Sequence, residues 1–92
     1  MSMQTRYRTN PVISFKDEGD EGAVLYNPDT DKVIIINAVG AKIWRFIEEA
    51  RTYDEIVAMI MENYSEISTA KAQEDLKQFF NNFEDDFINE IS

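Results

Sequence analysis

The sequence predicts an α+β domain: a three-stranded antiparallel sheet followed by three helices. Three observations carry this. Apolar residues recur with a period of two as far as Ile36 and with a helical period after Asn37. Two turn signals, at residues 16–22 and 27–31, cut the first part into short strands. Strands come first and helices after, an order that argues against a parallel α/β sheet. A chain of 92 residues holds one such domain. Residues 1–10 are expected as a flexible tail, residues 11–88 as the domain and residues 89–92 as a C-terminal tail.

Each element has a local reason. Pro11 suits a strand start, and Val12 and Ser14 alternate with Ile13 and Phe15. Four acids and two glycines in residues 16–22 mark a turn too charged for a core element. Residues 23–26 read as the second strand. Asn27-Pro28-Asp29-Thr30-Asp31 is a turn, with Pro28 pre-set in φ. Lys32-Val33-Ile34-Ile35-Ile36 is the third strand, and a hairpin joins it to the second. Asn37 is an N-cap candidate for a helix carrying Val39, Ile43, Phe46 and Ile47 on one face and ending near residues 50–51. Thr52 with Glu55 forms a capping box for a second helix, which stops near Tyr64. Ser68 caps a third, with Ala72, Leu76, Phe79, Phe80 and Phe83 as its apolar stripe. Acids at 84–86 oppose the helix dipole, so the chain is expected to turn or fray there, with Phe87, Ile88 and Ile91 docking beyond.

Composition removes several function classes. Eighteen acids against nine Lys and Arg give a net charge of −9. That opposes nucleic acid as the main partner and opposes an anionic membrane surface. Without Cys there is no disulfide, thiolate zinc site or thiol nucleophile, and without His a Ser-His-Asp triad cannot form. No apolar run approaches the roughly 18 residues that span a bilayer. The first ten residues lack the apolar region of a secretion signal, so a cytosolic location is the default expectation.

The acid clusters are the first candidates for chemistry. Asp17, Glu18, Asp20 and Glu21 could offer oxygen to calcium, but they lack the Gly and Glu spacing of an EF-hand loop and read as a solvated turn. Paired carboxylates can hydrolyse glycosides, but that needs a cleft and an acid in an apolar pocket, for which a small core leaves little room. No catalytic residue, cofactor or metal site is expected. Trp44, beside Ile43 and Phe46, reads as core.

The third strand is more informative. It is apolar at every position from Val33 to Ile36, so it asks for cover on both faces, yet the helices can cover only one. Either the tail, Tyr26 or a second copy closes the other face, or the strand is a sheet edge to which a partner peptide adds. Edge addition draws affinity from unpaired backbone groups and specificity from side-chain pockets.

The ordered set of Gly22-Ala23-Val24-Leu25-Tyr26, Ile36-Asn37-Ala38-Val39-Gly40-Ala41-Lys42-Ile43-Trp44, Arg51-Thr52-Tyr53-Asp54-Glu55-Ile56 and Glu74-Asp75-Leu76 with Phe79 and Phe80 resembles the PqqD-like proteins, recognition elements for ribosomally made precursor peptides. The resemblance covers about residues 11–88. It implies a winged helix-turn-helix fold and a non-enzymatic peptide chaperone. Such a domain binds a precursor's leader as a strand added to its third strand, against its third helix. It then presents the peptide to a modifying enzyme, often a radical S-adenosylmethionine enzyme, as in PQQ biosynthesis. The matching positions are Lys32, Val33, Ile34, Ile35 and Ile36 for the edge, and Leu76, Lys77 and Phe80 for the helix wall. Many leaders of that family are acidic, which sits awkwardly with a partner of net charge −9 unless Lys32, Lys71 and Lys77 make a local basic strip. The chain is expected as a monomer or weak homodimer. The alternative readings are a winged-helix DNA-binding regulator and a homo-oligomeric interaction protein.

Overall fold

The computed structural model describes residues 5–83 and 86–91. Its elements in chain order are β1 (Arg6–Thr9), β2 (Ser14–Asp17), a single 3-10 turn (Gly19–Glu21), β3 (Ala23–Asn27), β4 (Lys32–Ile36), α1 (Ala38–Phe46), β5 (Arg51–Thr52), α2 (Tyr53–Asn63), α3 (Thr69–Asn81) and β6 (Ile88–Ile91). The predicted antiparallel sheet is present, with strand order β2-β3-β4, and the three predicted helices follow it.

Local chemistry sets most boundaries. The β3–β4 hairpin closes where Asp31 N–H donates to the Asn27 carbonyl at 2.8 Å, with Asp31 at φ 60 and Asn27 Oδ1 accepting from Asp29 N–H at 2.9 Å. Asp tolerates that left-handed conformation better than most residues. Gly40 N–H donates to Asn37 Oδ1 at 2.8 Å and caps α1. At α2 the Thr52 hydroxyl accepts from Glu55 N–H at 3.2 Å, while Glu55 Oε1 accepts from Thr52 N–H at 2.8 Å, completing the capping box. Ser68 Oγ accepts from Lys71 N–H at 3.1 Å and caps α3.

Three expectations need correction. The first predicted strand lies later, at Ser14–Asp17, and Val12 sits in the preceding turn while Ile13 is buried. The first helix stops at Phe46 rather than near residues 50–51, because Arg51 and Thr52 leave it to pair with Tyr7 and Arg6. The ends are not loose tails where they are described: β1 and β6 pair antiparallel, Arg6 opposite Ile91 and Thr9 opposite Ile88, in a second sheet of order β5-β1-β6. Burial holds this sheet in place. Tyr7 stacks on Phe80 with ring centroids 4.7 Å apart, and Thr9, itself buried, donates its N–H to the Ile47 carbonyl at 3.0 Å. The expected turn at residues 84–86 falls partly outside the described residues.

The core lies between the inner face of the first sheet and the helices. Leu25, Ile36, Ile43, Trp44, Ile47, Ile56, Ile60, Leu76, Phe79 and Phe87 are buried there. Phe83 joins the layers, with its ring 5.7 Å from those of both Trp44 and Phe87 and 4.9 Å from that of Phe79.

Candidate functional site

Among the described residues β4 pairs with β3 and stands last in its sheet. Its pleat sorts the apolar run. Ile36 turns inward and is 3 % exposed, and Ile34 is half-buried, whereas Val33 and Ile35 face outward at 58 % and 75 %. The strand therefore has cover on one face only. Tyr26 stands opposite Val33 on the neighbouring strand, and Val24 opposite Ile35, so the outer face carries a short apolar row. Tyr26 also donates its hydroxyl proton to Asp31, and that hydrogen bond is the main reason its phenol titrates above the usual tyrosine range.

Beside the C-terminal half of β4 lies a pocket of about 430 Å³, bounded by Ile35, Ile36 and Asn37, by Val39, Gly40 and Ile43 of α1, and by Asp75, Gln78, Phe79 and Asn82. Its floor is apolar, since Ile36, Ile43 and Phe79 are all buried. Gly40 lets α1 come close: a Cβ there would stand 3.2 Å from Ile36 Cβ and 3.4 Å from the Phe79 ring. The four residues of the helical wall are spaced i, i+3, i+4 and i+7, one continuous strip of helix surface. Glu21, in the 3-10 turn before β3, also lines it.

This wall differs from the expected one. Leu76 is fully buried and belongs to the core. Phe80 is half-buried against Tyr7 of the second sheet, and neither Phe80 nor the exposed Lys77 lines the pocket. Among the edge residues, Ile35 and Ile36 reach the pocket, whereas Lys32, Val33 and Ile34 lie further along the strand. Of the three lysines, neither Lys71 nor Lys77 lines the pocket. Lys71 is engaged by Glu74 at 3.3 Å and Asp75 at 3.1 Å, contacts that hold its ammonium above the usual lysine range, and the charged residues lining the pocket are the acids Glu21 and Asp75. Asp75, Gln78 and Asn82 were not among the sequence candidates, although their spacing places them next to the apolar stripe of α3.

A three-stranded antiparallel sheet followed by three helices, with one sheet margin open beside the third helix, defines the winged helix-turn-helix class. The chain belongs to the PqqD family, whose model, described as coenzyme PQQ synthesis protein D, matches residues 22–86. Among solved structures, the chain is similar to TbiB1 in complex with the TbiA(beta) leader peptide, with 26 % identity and a TM-score of 0.67 over 80 % of this chain and 84 % of that one. No curated protein matches the sequence.

Proposed function

We propose that this protein is a non-enzymatic recognition domain that binds the leader of a ribosomally made precursor peptide and delivers it to a modifying enzyme, a radical S-adenosylmethionine enzyme if the pathway resembles PQQ biosynthesis. The leader adds as a strand along the outer edge of β4 at residues 33–36, its backbone pairing with that edge, while one side chain enters the pocket beside α3. The carrying observation is that β4 stands last in its sheet, with residues 33–36 running beside a pocket with an apolar floor. Membership of the PqqD family and likeness to a protein solved with a leader peptide support the same reading.

The test is a titration of the isotope-labelled protein with candidate precursor leader peptides, followed by amide chemical shifts. Binding by strand addition moves Val33 to Asn37 together with Gln78, Phe79 and Asn82. Shifts confined to α2 or to the second sheet would contradict it. The exposure of Val33 and Ile35 favours one further reading, self-association through the same margin, which light scattering over a concentration series separates from peptide binding.

A further inference from the structure

The charge around the pocket points to the kind of segment it accepts. Its lining includes two acids, Glu21 and Asp75, and the side-chain amides of Asn37, Gln78 and Asn82 beside the apolar floor. Asp75 is held by Lys71, but that ammonium is shared with Glu74, so two carboxylates compete for one cation. The charged side chains that line the pocket are therefore both acids, Glu21 and Asp75, and the cation paired with Asp75 is shared. A guest carboxylate arriving here meets like charge, and a guest ammonium or guanidinium meets opposite charge, a discrimination that acts by repelling the wrong partner as much as by attracting the right one.

We infer that the groove selects a leader segment in which an apolar side chain, seated on Ile36, Ile43 and Phe79, has a Lys or Arg close by in sequence, with Asp75 and Glu21 as the specificity-determining residues. This rests on the peptide-binding reading and deepens it. It differs from the acidic leader that the family resemblance suggests.

The experiment displays a library of random short peptides to the purified protein and sequences the retained pool. Enrichment of apolar residues paired with Lys or Arg is the expected result. One enriched peptide is then synthesised with its basic position as Lys, Gln or Glu, and affinities are measured by fluorescence anisotropy at low and high salt. The Lys form binds tightest, and its advantage over the Glu form shrinks as salt rises. Glu21→Gln, in an exposed turn, and Asp75→Asn each reduce that advantage by about two- to fivefold, the scale of an exposed ion pair. Glu62→Gln removes the same charge from exposed α2 surface and leaves the advantage unchanged, which separates the local site from the overall charge of −9. A pool enriched in acidic residues, or a Lys preference equally sensitive to Glu62→Gln, overturns the inference while leaving peptide binding intact. A pool with no enrichment at all overturns the peptide-binding reading itself.

Discussion

Gly22 lies directly against the main chain of Ile36. At φ +104 it occupies a backbone region that L side chains rarely adopt, and a Cβ on it would collide with the Ile36 carbonyl oxygen and with the backbone of Asn37. This contact seats the strand start of β3 on the end of β4, where Ala23 pairs with Ile36, next to Glu21 of the pocket lining. Gly22→Ala is therefore expected to destabilise the domain by at least about 2 kcal/mol, from backbone strain and the clash together. Urea unfolding measures it, and Gly19→Ala is the comparison: Gly19 also has positive φ, at +66, but nothing surrounds the missing Cβ, so only the strain component appears.

The capping box at α2 makes a prediction about pH. The Thr52 backbone N–H donates to the Glu55 carboxylate and is the main reason that carboxylate titrates below its usual range, with the charges of Arg6 and Arg51 helping. A carboxyl with a lowered folded pKa contributes stability above the ordinary carboxylate range and loses it as the pH falls through the folded value. The melting temperature of Glu55→Gln should fall below that of the parent at neutral pH and converge with it in acid. Thr52→Ala removes the other half of the box and costs about 1 kcal/mol.

On α3 the geometry separates two residues adjacent in sequence. Leu76→Ala empties a fully buried site and is expected to cost about 2–4 kcal/mol in unfolding free energy. Lys77→Glu changes an exposed side chain that does not line the pocket, so leader affinity by calorimetry should stay within about twofold. A larger loss would return Lys77 to the binding wall.

The second sheet bears on stability. Tyr7 covers Phe80, and Tyr7→Ala should destabilise the domain by about 1–3 kcal/mol through lost ring contact and burial. Arg8, outside that contact and exposed opposite Asn89, should tolerate Ala within about 0.5 kcal/mol.

Strand addition can be tested without disturbing the protein. N-methylation of alternate amides of the leader removes donors on one edge of the guest strand only. Methylating one alternating set should weaken binding by at least tenfold and the other set little, because a strand in a sheet presents its amides alternately to each side. Equal effects from both sets would argue against a paired guest. Ile35→Pro, at the most exposed position of β4, removes a donor from the host side and should weaken binding in a protein whose circular dichroism is unchanged.

Much of the fold was readable in the sequence because its signals are local. Asn37, Thr52 with Glu55, and Ser68 satisfy backbone N–H groups within their own first turn, so the starts of all three helices could be placed from residue type and spacing. The apolar run of β4 is likewise a local pattern. β1 and β6 were not legible, because Arg6-Tyr7-Arg8-Thr9 is half charged and its partner strand lies at the other end of the chain. Missing that sheet also displaced the site on α3. The stripe Ala72, Leu76, Phe79, Phe80 and Phe83 is wider than one contact surface, and only the presence of Tyr7 shows that Phe80 faces away from β4. With Phe80 assigned to the other sheet, the strip of Asp75, Gln78, Phe79 and Asn82 is left to face the groove.

The outward row of Val33 and Ile35 has a consequence for how ionic strength governs the molecule. Two copies meeting margin to margin each bring a charge of −9, and their repulsion reaches about 10 Å at 0.1 M salt but only about 3 Å at 1 M. Dilute buffer therefore keeps siblings apart and leaves the ledge vacant for a cationic visitor. Brine should lift that guard and, in the same stroke, weaken the hold of a cationic guest of the proposed kind, so salt is expected to tip the balance between the two rivals for one strip of backbone.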